Sequence, residues 1–184
     1  DAPLTGADID SADCLVTIGM PTSATPSSTV QLVSAKILGG QKPVLSVGGK
    51  SLDHAGLARL IPTLPVMVGV PSVIEQEVDF IPDPAQRAHP LLALDPSTGL
   101  SPWTRLPPVF ATQTVYTPRE GSVVLGSPRL HSVVLPQPFL AVRSVAGNRS
   151  IAVLGYGLWR WRLMAQGNPE TARQLSLFLS ASIT

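Results

Sequence analysis

Few residues of this chain pair a reactive group with a neighbour that could activate it. Cys14 is the single cysteine, so no internal disulfide and no thiolate metal cluster can form. It opens the apolar run Cys14-Leu15-Val16-Thr17-Ile18 with no basic residue or helix N-terminus beside it, the setting of a structural thiol and not of a nucleophile. The three histidines, His54, His89 and His131, are far apart in sequence and lack metal-ligand spacing. His89 precedes Pro90 and reads as a turn residue, with no Ser, Cys or Asp assignable to it. Asp53-His54 is an acid–histidine neighbour pair, but adjacent residues of a helix point apart, which argues against a dyad. Asn148-Arg149-Ser150 matches a glycosylation triplet of a kind common by chance. No metal site, cofactor or catalytic residue is expected.

Two segments are more distinctive. In Ser46-Val47-Gly48-Gly49-Lys50-Ser51 an apolar run breaks at two glycines, whose bare amides with Lys50 could seat a small anion at a helix start. Ser51 could cap that helix, or serve as a displaced nucleophile together with His54. The second segment is Gly155-Tyr156-Gly157-Leu158-Trp159-Arg160-Trp161-Arg162. Its alternating Trp and Arg suit a binding surface built on stacking and cation–π contacts. They equally suit a helix anchored on a β-rich region, with arginine stems lying over the indole rings. Residues two apart on a helix face different ways, so one Trp is expected in the core and one Arg outside.

The elements that must position these residues follow from periodicity and punctuation. Cys14–Ile18 ends at Gly19 as a buried strand would. Thr25-Pro26 starts a helix carrying Val30, Val33 and Ile37 at helical spacing, closed by Gly39-Gly40. Pro43–Val47 is a second strand, and Ser51 to about Leu60 a second helix, with Leu52, Ala55 and Arg59/Leu60 roughly on one stripe. Between Val66 and Val145 β-prone runs alternate with prolines, at Val73–Ile81, Val109–Thr117, Ser122–Gly126, Ser132–Leu135 and Phe139–Val145. Ala146-Gly147-Asn148-Arg149 then turns the chain into Ser150–Leu154 as a hairpin. Trp103 and Pro107-Pro108 mark an irregular loop or short helix. A last helix begins near Asn168-Pro169 with Leu175, Phe178, Leu179 and Ile183 on its apolar stripe.

Two of these stretches together resemble the class I glutamine amidotransferase superfamily. Leu15–Gly19 with Met20-Pro21 is similar to that family's strand and oxyanion loop, and Pro43-Val44-Leu45-Ser46-Val47-Gly48-Gly49-Lys50 to its Pro-Val-Leu-Gly-Ile-Cys-x-Gly elbow. The resemblance implies an α/β fold with a flavodoxin-like parallel sheet flanked by helices, and a β-rich insertion at about 66–145. It also implies a silent site. Gly48 stands where the family carries its nucleophilic cysteine, and the late strand Ile151–Leu154 runs into Gly155–Arg160 without the family's His or Glu. A closer likeness covers nearly the whole chain, through Gly19-Met20-Pro21-Thr22, Gln41–Leu45, His89–Leu92, Trp103–Pro108 and, above all, Gly155–Leu163. It is to a bacterial branch of the superfamily found as an extracytoplasmic portion of larger membrane proteins, some with von Willebrand A-like domains.

Bulk properties narrow the function classes. A net charge of +1 without a basic cluster excludes a nucleic-acid surface. The 184 residues suit one domain, and no apolar run reaches the 18 or so residues of a membrane span. The chain begins at Asp1 without Met or a signal-like segment, and is read as a piece of a longer protein. The expectation is a non-catalytic amidotransferase-like domain, extracytoplasmic, that binds other domains of its own chain or envelope proteins. A hydrolase or transferase with a non-cysteine site in the same crevice is the alternative, and a cytoplasmic location is left open.

Overall fold

The computed structural model describes residues 4–40, 42–95, 97–164 and 169–183. The N-terminal third alternates helix and strand: α1 (Gly6–Asp10), β1 (Leu15–Ile18), α2 (Ser27–Gly40), β2 (Val44–Val47) and α3 (His54–Leu60). The middle is mostly β, with β3 (Val66–Val68), β4 (Glu75–Pro82), the short α4 (Ser101–Thr104), β5 (Val109–Thr112), β6 (Tyr116–Pro118), β7 (Ser122–Leu130), β8 (Val133–Val134) and β9 (Leu140–Val145). The chain closes with β10 (Asn148–Val153), α5 (Trp159–Leu163) and α6 (Pro169–Ile183).

One eight-stranded mixed sheet, flanked by helices, organises the molecule, in the order β1-β2-β10-β9-β7-β4-β5 with β8 on β7. Among the described residues only β1, β2 and β10 pair in parallel. The expected β-rich insertion is therefore not set apart from the sheet. Its strands β9, β7, β4 and β5 extend the same sheet antiparallel, and only β3 and β6 form a separate ribbon. The β9–β10 hairpin turns at Ala146-Gly147, both at positive φ, as the turn residues anticipate.

Alternation along the strands splits the core into two layers. Leu45 and Val47 of β2, with Leu140 and Val153, face a layer built on Phe80, Trp103, Phe139, Trp161 and Phe178. Val44, Ala141 and Ala152 face the other, made by Ile9, Val33, Ile37, Leu57 and Leu60. Covered on both faces, β2 is buried throughout, as a near-continuous apolar run requires. The aromatic layer is knit edge to face: Trp103 lies 5.2 Å from Phe80, 6.0 Å from Trp161 and 5.8 Å from Phe178 between ring centroids. Both buried indoles find acceptors, Trp103 Nε1 at Leu92 O (2.9 Å) and Trp161 Nε1 at Pro107 O (3.1 Å).

Three boundaries differ from the sequence expectation. α3 starts at His54 with Asp53 in the cap position, so Ser51 lies in the preceding turn, and its inward residues are Gly56, Leu57 and Leu60. β5 and β6 are separate strands because the chain at Gln113–Val115 leaves β4 and follows the 70–74 segment. In α6, Leu175 and Phe178 are buried, whereas Leu179 and Ile183 are exposed. Asn168, expected at that helix start, lies outside the described residues.

Candidate functional site

Parallel strands place their exits at one end of a sheet, where α/β folds build sites. Here β1 exits into Gly19-Met20-Pro21, β2 into Gly48-Gly49-Lys50-Ser51, and β10 into Gly155-Tyr156-Gly157. The expected oxyanion-loop and elbow residues are thus brought side by side. They pack closely. Gly49 lies so near Gly19 that a Cβ on it would fall 2.5 Å from the Gly19 Cα. A Cβ on Gly48 would fall 3.1 Å from Gly155 O and 3.3 Å from Leu154 C. The Gly48 amide donates to Val153 O at 2.8 Å, and the Asp53 amide to Pro21 O at 2.8 Å. Neither is left for an anion, and α3, with 7 residues, is short.

Residues of β4 and β5 lie beside these exits. Tyr156 Oη donates to Glu75 Oε2 at 2.5 Å, and Lys50 Nζ stands 3.8 Å from the same oxygen. Lys50, expected as an anion's partner, thus has a carboxylate already. Phe110 and Tyr156 exchange both backbone hydrogen bonds, at 3.0 and 2.8 Å. Partial burial and then the Glu75 carboxylate push the Tyr156 phenol well above its usual range, so it stays protonated and donating. Met20 is 39% exposed and does not plug the crevice; Tyr156 bridges it.

No acid–base pair forms around the elbow. His54 Nε2 lies 3.0 Å from Tyr116 Oη and 3.1 Å from Thr114 Oγ1, and Ser51 is hydrogen-bonded to neither His54 nor a carboxylate. Burial holds the His54 imidazole below its ordinary pKa against the opposing charge of Asp53, and pushes Tyr116 up to about 12. Thr114 is fully buried, bonds Thr112 at 2.8 Å and clamps Ser72 through both its N–H and its C=O. This hydroxyl chain ties α3 to the β5–β6 region and is structural. Among the described residues no His, Cys, Asp and Glu gather in a group that could hold a metal.

The Trp–Arg segment divides. Trp161 is 2% exposed and belongs to the aromatic layer. Arg160 pairs with Glu77 at 2.8 Å and lies over the Phe110 ring at 4.7 Å. Trp159 is 57% exposed, Arg162 is exposed, and Leu163 and Met164 beside them are more than half exposed. α5 thus turns one Trp and one Arg inward, Trp161 and Arg160, and leaves Trp159 and Arg162 exposed.

One feature escaped the sequence reading. A cavity of about 480 Å³ lies between the Pro21–Thr25 loop, α2 and α3, lined by Thr22, Ser27, Gln31, Ser34, Asp53 and Arg59 among others. The run Thr22–Thr29, rich in Ser and Thr, is its sequence trace, but such a run is equally the signature of a helix start.

No family model matches the sequence, and no curated protein does. Solved structures do match the fold. The cytoplasmic protein STM1381 from Salmonella typhimurium LT2 superposes with a TM-score of 0.63 at 13% identity, over 99% of this chain and 75% of its own. The mmIFT52 N-terminal domain gives 0.60 at 12% identity, over 98% and 81%. The cytoplasmic protein STM3548 from Salmonella typhimurium gives 0.59 at 10% identity, over 100% and 75%. At these identities the likeness is one of fold. The extracytoplasmic location expected from the sequence is corrected here, since both Salmonella proteins of this fold are named as cytoplasmic. Among the described residues no helix is long and apolar enough to cross a membrane.

Proposed function

We propose that this chain is a non-catalytic domain of the class I glutamine-amidotransferase-like type, flavodoxin-like in its parallel part, which works by binding other protein surfaces. The observation that carries this is the elbow. Gly48 and Gly49 are held against the backbone of Gly155 and Gly19, so even a Cβ at the place where the resembling family keeps a nucleophile would press on main chain at 3.1 Å. The late strand offers Tyr156, locked on Glu75, in place of a general base. What remains accessible nearby is the turn of Trp159, Arg162, Leu163 and Met164. An exposed Trp beside apolar neighbours and a guanidinium is the composition of an interface hot spot.

The alternative enzyme built on Ser51 and His54 has no support in the geometry, because His54 is engaged by Tyr116 and Thr114. The test is covalent labelling of the intact protein with a fluorophosphonate and with a diazo-ketone glutamine analogue, read by mass. No adduct is expected from either reagent, and stoichiometric modification at Ser51 would overturn the proposal. For the binding surface, a photo-crosslinking residue at Trp159 should capture protein partners in cells, whereas one at Ser132, on the distant β7–β8 turn, should not. Equal capture at the two positions would remove Trp159 as the centre.

A further inference from the structure

The cavity between α2 and α3 has a lining that helix packing alone does not explain. The two helices follow the neighbouring parallel strands β1 and β2 and lie side by side. Helices in contact ordinarily fill the groove between them with interlocking side chains. α2 keeps Val33 and Ile37 for the core and turns Ser27, Gln31 and Ser34, spaced i, i+4 and i+7, into a second stripe along this cavity. α3 meets that stripe at Gly56, and about 480 Å³ is left unfilled, within the range of small-molecule sites. Two opposite charges stand on the α3 wall, Asp53 at its N-terminal cap and Arg59 in its last turn. Among the described residues neither side chain forms a hydrogen bond or an ion pair, with the other or with any neighbour. The Asp53 carboxylate is folded back over α3: a Cβ on Gly56 would collide with its Oδ2 and fall 2.8 Å from Pro21 Cγ. Glycine at position 56 is what lets the carboxylate lie against the cavity wall.

We propose that this cavity binds a dipeptide-sized zwitterion, with its ammonium on Asp53 and its carboxylate on Arg59. Six positions separate the two residues along α3, a rise of about 9 Å. An α-amino acid carries both charges on one carbon and is too short to meet partners at opposite ends of such a groove. Two residues of extended chain span about 7 Å, and the flexible Arg59 side chain takes up the difference. Between the charges the ligand's single peptide group meets Gln31, whose amide both donates and accepts, and the Ser34 hydroxyl, which does the same. Pro21 and Val30 offer apolar surface to small side chains. The lining carries one carboxylate and one guanidinium, so a zwitterion leaves no charge uncompensated, whereas a dianion or a dication would. The cavity lies on the opposite face of the sheet from the Trp159 turn, and its role does not depend on what that turn or the elbow does.

Titration of the isotope-labelled chain with Ala-Ala up to about 10 mM should give saturable NMR shifts at the amides of Gln31, Ser34 and Gly56. N-acetyl-Ala-Ala, which lacks the ammonium, and Ala-Ala amide, which lacks the carboxylate, should each bind about tenfold or more weakly. Asp53→Asn and Arg59→Gln should each weaken Ala-Ala to a similar extent with circular dichroism unchanged, since Asp53 makes no side-chain cap bond and Arg59 is exposed. Losses at one end should not add: in Asp53→Asn, Ala-Ala and its N-acetyl form should bind alike. No saturable shifts, equal binding of the blocked forms, free alanine binding as tightly as Ala-Ala, or wild-type affinity in both folded variants would each overturn the proposal.

Discussion

Gly48 and Gly49 act through what they lack. A methyl on Gly49 meets main chain at 2.5 Å, and one on Gly48 meets it at 3.1 Å, and main chain cannot swing aside as a flexible side chain can. Gly49→Ala should therefore cost more than Gly48→Ala, with the milder change near 1–3 kcal/mol, read from urea unfolding. Gly48→Cys should likewise destabilise and create no glutaminase activity, since the base is missing as well. His54 supplies a second residue-level expectation. Its folded pKa is depressed by burial, so the unfolded chain binds protons more readily. Stability from this group is full above the unfolded value near 6.5 and falls as pH drops through the folded value. His89, also depressed by burial, acts in the same direction. Melting temperature should thus decline between about pH 7 and 5, and His54→Gln should flatten part of that decline. A pH-independent melting temperature in the wild type would remove this account.

At the scale of elements, α5 shows how one short helix can serve the core and the surface at once. Trp161 contacts Phe80 and Trp103 and donates to Pro107 O, so Trp161→Ala should cost about 3–5 kcal/mol by opening the aromatic layer. Trp159→Ala removes an exposed ring and should change stability by about 0.5 kcal/mol or less. Parallel denaturation curves separate the two, and equal losses would contradict the division of roles. Arg160 is the hinge between them: its guanidinium joins Glu77 of β4 and Phe110 of β5, and so holds α5 against the antiparallel half of the sheet. That two residues apart meant two faces was legible in the sequence. Which Trp faced inward was not, because it depends on where β4, β5 and α4 stand.

At the scale of the molecule, β2 is the centre: paired on both sides and buried on both faces. Its amides should be among the slowest to exchange in the native state, and those of the β3–β6 ribbon, outside the main sheet, among the faster. Protection spread evenly over both would contradict the two-layer core. The continuity of the sheet is also what brings β4 and β5 to the crevice. β4 and β5, expected as parts of an insertion, reach past β10 and place Glu75, Glu77 and Phe110 over its exit.

The local pattern alone determined the strand–helix–strand opening, the hairpin at Ala146-Gly147 and the amphipathic α6, because each rests on side-chain period and turn chemistry within a few residues. It also determined that Gly48 could be no nucleophile, which follows from the residue type. Tertiary structure decided the rest. Strand order sets partners between residues tens of positions apart, and local periodicity carries no trace of it. How tightly the Gly48–Gly49 elbow packs turned on the approach of Gly19 and Gly155.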